Sequence, residues 1–279
     1  GTAFPEEGGP YLWARLAFGR LAGSINNFLY WITNPVWFGG TLALVALTAI
    51  ETFFLDGKSL SHIWFYILGF AFIWIGTFAS ILSFKVGKWV PILGAFARFI
   101  VLGLFTIAIV LYGMKYGIHA PSLGDFKVTW SGFVGVTALI LFNYVGFENP
   151  NSAGDEMKDS QRDVPYAVFR SAIFAILLYG VPIFGVLLVL PTEQASNLGG
   201  FIDAVKATFT VFGGTVAQDG TATLTGFGQV MGDFAAILFI LCVLSSGVAW
   251  LMGSDRALAV SGFDGAAPRW LGVFNEKYG

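Results

Sequence analysis

Long apolar runs constrain this chain more than any other feature. A helix needs about 20 mostly apolar residues to cross roughly 30 Å of hydrocarbon. Six stretches read that way: residues 25–54, 63–84, 92–112, 132–147, 168–190 and 234–252. Gly, Pro, Asp, Lys and Ser clusters separate them and mark loops. Inside a bilayer every backbone N–H and C=O must be satisfied within the protein, so only helices and closed barrels span it. Period-two alternation is absent and the runs are too long for barrel strands, so the expected class is all-α transmembrane. Composition agrees, since only 11% of residues are charged and 56% are hydrophobic. A soluble domain carries roughly 25% charge.

The same arithmetic excludes several functions. A net charge of -2 with no basic stripe gives nothing for nucleic acid to grip. The single cysteine, Cys242, lies in an apolar run and has no partner for an internal disulfide. The two histidines, His62 and His119, fall in loops, so no metal or haem site is expected and no cofactor is called for. Cys242 itself reads as a small packing residue.

Loop charge sets the expected orientation. With the chain start in the cytoplasm, that side holds Arg15, Arg20, Lys85, Lys88, Lys158, Arg162, Arg170, Arg256, Arg269 and Lys277. The other holds Lys58, Lys115, Lys127 and Lys206, with Arg98 inside the third span. Both ends of the segment are then cytoplasmic and the membrane is the plasma membrane. Residues 191–227 form an outer loop, within which 201–212 is patterned as an interfacial helix; a disordered loop is the alternative. The opening Gly8-Gly9-Pro10-Tyr11-Leu12-Trp13-Ala14-Arg15 suits an interfacial or re-entrant turn. With no initiator Met and no signal peptide, residues 1–279 read as one membrane domain cut from a longer chain.

Polar groups at membrane depth are costly and mark functional sites. They gather at the end of the fourth run, from Phe142 through Asn143, Tyr144, Val145, Gly146, Phe147, Glu148 and Asn149 to Pro150. That run is short, Gly146 tolerates unusual dihedrals and Pro150 lacks an N–H, so a helix broken near 144–150 is expected to free backbone groups for a ligand. The alternative, a span that ends at Val145 before a cytoplasmic loop, is open at this stage. Arg98 lies about 10 Å into the third span and either snorkels to the interface or serves as a permanent interior cation. Asn34 with Pro35 marks a kink in the first span, and Ser245, Ser246 and Trp250 make a small polar face in the sixth.

Three segments then resemble one family, the amino acid/polyamine/organocation permeases. Phe4-Pro5-Glu6-Glu7-Gly8-Gly9-Pro10-Tyr11 through Gly19 resembles the loop after the family's second helix. Tyr144-Val145-Gly146-Phe147-Glu148, with Glu156-Met157-Lys158 and Arg162-Asp163-Val164-Pro165, is similar to its broken sixth helix and the loop beyond. Asp255-Arg256-Ala257-Leu258-Ala259 with Asp264-Gly265 and Pro268 is similar to the loop after its eighth. The resemblance implies that the spans are family helices three to eight of a five-plus-five inverted-repeat fold, with substrate held between the unwound centres of helices one and six. Only the second of these lies in this chain.

By the same resemblance, Gly146 and Phe147 match the unwound backbone and Glu148 the carboxylate linked to gating and coupling. Phe142, Tyr144, Ser246 and Trp250 fall at substrate-facing positions. Arg98 matches a helix-five position where some relatives carry a Lys, a departure that argues against a proton carrier there. The expectation is a secondary transporter, a permease or antiporter of amino acids or related amines working by alternating access, independent of sodium, with either proton coupling through another group such as Glu148 or simple exchange. A membrane sensor that binds without transport is the alternative, and after it an integral membrane enzyme, which would need a nucleophile and base, or metal ligands, converging inside the bundle, where no His lies in a span. No ring of charges suggests a channel.

Overall fold

The computed structural model describes residues 8–81, 89–118, 129–142, 146–151, 157–189, 200–217 and 220–273. Within them the chain is almost wholly helical. It opens with α1 (Pro10–Phe18), α2 (Arg20–Trp37), α3 (Ala43–Phe54), α4 (His62–Ile81) and α5 (Trp89–Tyr116). It continues with α6 (Trp130–Phe142), α7 (Ser160–Ala175), α8 (Val181–Val189) and α9 (Gly200–Phe209). The strands β1 (Gly214–Val216) and β2 (Ala222–Leu224) pair antiparallel before α10 (Phe227–Phe263).

Single-residue widenings join two helix pairs into spans. A π-turn at Phe38–Leu42 connects α2 to α3, and another at Ile176–Gly180 connects α7 to α8. The first follows Pro35, which lacks the N–H a regular helix would use, so the expected kink is a relaxed hydrogen-bond register. Among the described residues five helices are long and apolar enough to cross a membrane: Arg20–Phe54, His62–Ile81, Trp89–Tyr116, Ser160–Leu188 and Phe227–Phe263. The sixth expected span is represented by α6, whose 13 residues reach only about 20 Å.

The long α10 is the axis, packing against α5, α2, α3 and α4. Glycines set how closely. Phe38 is wedged between α4 and α10, where a Cβ on Gly76 or on Gly247 would come within 2.2 Å of its ring. Ser245 enters the notch left by Gly94 of α5, where a Cβ would lie 1.7 Å from Ser245 Oγ. In a bilayer, where apolar burial between helices gains little, such small-residue contacts give close packing its specificity. The outward face of α4 carries Trp64, Phe70, Trp74 and Phe78, each more than half exposed.

Two ends of the bundle differ. At one, the expected opening turn is two positive-φ glycines, Gly8 and Gly9, followed by α1 folded back on α2. At the other, α9 and the hairpin cover the ends of α3, α5 and α10. The patterned face of α9 meets protein, with Phe201 ringed by Phe105 at 5.1 Å and Phe239 at 5.5 Å. Lys206 Nζ donates to Thr52 O at 3.0 Å, and Gln229 Nε2 donates to Phe53 O at 3.1 Å. These bonds satisfy terminal carbonyls of α3 that no longer have helical partners.

Candidate functional site

The broken segment is where the fourth span stops. α6 ends at Phe142, and Gly146 has φ of +123°, a left-handed conformation that disfavours any side chain. Gly146 through Glu148 form a turn, and Asn149 through Asn151 a tight 3-10 turn. Asn149 N–H donates to Gly146 O and Asn151 N–H to Glu148 O, both three-residue steps in place of the α-helical four. Helix resumes at Ser160, with Asp159 Oδ1 accepting from Arg162 N–H at 3.2 Å as the N-cap. Tyr144 lies outside the described residues, as does the side chain of Phe142.

Glu148 folds back on this turn. Its Oε2 accepts the Gly146 N–H at 2.7 Å, so the carboxylate answers a backbone donor that the break has released. Phe147 sits half-buried beside it.

Two neighbouring helices flank the turn. From α10, the Trp250 ring lies so close to Gly146 that a Cβ there would meet it at 3.2 Å. Ser246, four residues earlier and half-buried, shares that helix face. From α2, Tyr30 donates its hydroxyl to Asn149 Oδ1 at 3.2 Å, and the same hydroxyl faces the Glu148 carboxylate. Tyr30, Trp37 and Trp250 form an aromatic cluster, with ring centroids 6.4 Å apart for Tyr30–Trp250 and 6.0 Å for Trp37–Trp250. Trp250 stands about 21 Å along α10 from its Asp264 end, deep in the bundle.

Gly146, Phe147, Glu148, Ser246 and Trp250 therefore converge on one locality. Arg98 does not join them among the described contacts. Its guanidinium lies near the Cys242 thiol at the α5–α10 interface, about 12 Å along α10 from Trp250. Cys242 in turn points at Gly94 O, 3.7 Å away. Asn34, beside Pro35 at the kink, spends its amide on Tyr30 O at 2.9 Å and is buried.

Tyr30 and Trp37 are the members that sequence reasoning passed over. A signal existed: Asn27, Tyr30, Trp31 and Asn34 recur at helical spacing within an apolar span, a polar-aromatic stripe. Asn27 donates to Ala257 O at 2.7 Å and Trp31 Nε1 to Asp255 Oδ1 at 2.8 Å, so the stripe docks on α10 along its length. Chemically the site offers one carboxylate, several aromatic faces and irregular backbone, a combination suited to an ammonium-bearing molecule. No group of His, Cys, Asp and Glu among the described residues is arranged to hold a metal ion.

Comparison with known proteins bears on this geometry. The chain matches the amino acid permease family model over residues 1–279. It is 31% identical over 287 residues to an uncharacterized transporter of Legionella pneumophila, covering 100% of this chain and 57% of that protein. It is 24% identical over 277 residues to a probable agmatine/putrescine antiporter of Lactococcus lactis, covering 97% and 55% respectively. It is also 26% identical over 186 residues to a low-affinity putrescine importer of Escherichia coli, covering 64% and 38%. The chain thus spans about half the length of the first relatives it matches.

Proposed function

This chain belongs to the amino acid permease family, and on that premise we propose that it is part of a secondary transporter moving an amino acid or related amine by alternating access. The carrying observation is the turn at Gly146–Asn151, held between Trp250 on α10 and Tyr30 on α2. A turn at membrane depth is tolerated where it lines a path, and its backbone is the natural ligand for a small polar solute. Glu148 supplies the charge that an ammonium group seeks, and the aromatic faces exclude water around it. The printed activities of the relatives, putrescine import and agmatine/putrescine antiport, support an amine or amino acid as cargo.

In this reading the membrane is the plasma membrane, and the end carrying Arg15, Arg20 and Arg269 is cytoplasmic by the distribution of basic residues. The test is uptake of labelled amino acids, agmatine and putrescine by the full-length protein in proteoliposomes. Saturable uptake of at least one supports the proposal; binding with no flux would assign a sensor instead.

Two expected results arise here. Trp250→Ala should weaken substrate binding roughly tenfold by calorimetry, the loss of one aromatic wall and its attraction for a cation. Native affinity in that variant would remove Trp250 from the pocket. The second concerns coupling. Arg98 beside Cys242 is a permanent cation that disfavours a sodium ion nearby and does not release a proton for transport. Flux under imposed sodium and proton gradients should therefore be independent of sodium, with Glu148 the group available for a proton. A steep sodium dependence in the native protein would refute this assignment.

A further inference from the structure

Trp37 closes α2, immediately before the π-turn at Phe38–Leu42. It follows Tyr30 by about two helical turns, so both rings project from one face of the helix. That face meets Trp250. Tyr30 approaches the indole with ring centroids 6.4 Å apart and planes tilted by 52°. Trp37 approaches at 6.0 Å and 73°, an edge-on contact. Held by these two rings of α2, the indole packs on the broken segment, where a Cβ on Gly146 would meet it at 3.2 Å.

The backbone that carries Trp37 is locked by its neighbour. Phe38 is 2% exposed, and its ring fills the notches left by Gly76 of α4 and Gly247 of α10. Gly247 precedes Trp250 by about 4.5 Å along α10. The seat of Phe38 therefore sets the height of Trp37 against Trp250 before either ring adopts a rotamer. Trp37 itself is half-buried against the cluster that holds Phe38, Phe72 and Leu251, so its ring has a firm backing.

An aromatic wall serves a cation only when its face is held within about 6 Å of the charge. Trp250 turns about two side-chain torsions, and packing by neighbours is what restricts such a ring to one rotamer. Tyr30 divides its contacts, since its hydroxyl also donates to Asn149 Oδ1. Trp37 meets the indole from the anchored side of α2, next to the core cluster.

We propose that Trp37 is a positioning residue of the site: acting through Trp250, it holds the indole against Gly146 in the orientation that a bound ammonium group requires. The effect on ligand rests on the transporter reading, in which Trp250 lines the pocket; the hold on the indole does not.

The experiment uses the full-length protein labelled with 5-fluorotryptophan, with the Trp250 signal assigned by its loss in Trp250→Phe. Native protein should give one Trp250 line in its fluorine NMR spectrum. In Trp37→Ala and Trp37→Leu that line should split or broaden at least about twofold, and in Trp37→Phe, which keeps an aromatic edge, it should stay single. Leu retains much of the volume, so the contrast between Leu and Phe separates the ring contact from the filling of space. A single line of native width in both Trp37→Ala and Trp37→Leu overturns the proposal.

A second arm titrates putrescine and agmatine by calorimetry. Trp37→Ala should weaken binding about three- to tenfold and Trp37→Phe less than about twofold. In a Trp250→Ala background, Trp37→Ala should cost less than about a further twofold, because a residue that acts through the indole has nothing left to hold. Losses that multiply in the double variant overturn the proposal, since Trp37 would then act without Trp250. If neither amine binds, or if Trp250→Ala keeps native affinity, the amine pocket fails, and the fluorine lines still decide whether Trp37 positions the indole.

Discussion

Glu148→Gln in the full-length protein is expected to lower turnover about 10- to 100-fold while folded yield stays near native. The amide keeps an oxygen able to accept the Gly146 N–H, so the turn retains its 2.7 Å bond. What is lost is the charge, and with it both the attraction for an ammonium group and the charged contact with the Tyr30 hydroxyl. Tyr30→Phe removes the donor from the other side, together with its bond to Asn149. If the two act as one clasp, the double variant should be little worse than Glu148→Gln alone. Initial-rate flux with normal expression measures this. Native flux in Glu148→Gln would eliminate any gating or coupling role, and strictly additive losses would separate Tyr30 from Glu148.

Gly94→Ala should be strongly damaging, costing about 3 kcal/mol of stability. The added methyl would stand 1.7 Å from Ser245 Oγ and 2.1 Å from Ser245 Cβ, forcing α5 and α10 apart. Those helices make the most extensive pairing among the described residues, and the separation would also move Arg98 away from Cys242. The rescue pattern is specific. Ser245→Ala leaves its Cβ in place and should not help. Ser245→Gly should, because the next atom a Gly94 methyl meets is Leu241 O at 3.6 Å, an ordinary contact. Thermal unfolding in detergent, read for Gly94→Ala and both doubles, checks this. Equal melting of Gly94→Ala and native protein would show that the helices do not approach so closely.

Much of the class was legible in residue order, because the bilayer imposes local demands. A backbone without water must bond to itself, so an apolar run of about 20 residues is a helix whatever surrounds it. The same reasoning located the break, since a short run meeting Gly146 and Pro150 leaves no way to continue, and the described backbone turns at Gly146–Asn151. The motifs that carried the family resemblance are likewise local strings, and the family match covers the whole chain. The pattern of 201–212 announced a helix, although amphipathicity alone does not say whether lipid or protein receives its apolar face.

Partner choice was a different matter. Tyr30 and Asn149 are separated by 119 positions and Tyr11 and Asp264 by 253, and nothing local to either pair specifies the other. Arg98 read equally well as snorkelling or interior, and only the approach of α10 gave it the Cys242 thiol. In a membrane the apolar surface of one helix is satisfied by lipid as well as by another helix, so hydropathy does not choose neighbours. The choice is made by shape, in contacts such as Phe38 between two glycines and Ser245 in the Gly94 notch. Those contacts fix the rotation and height of α10 against α2 and α5. That register, which no single segment encodes, is what sets Trp250 on Gly146 and Asp264 under Tyr11 and Arg15.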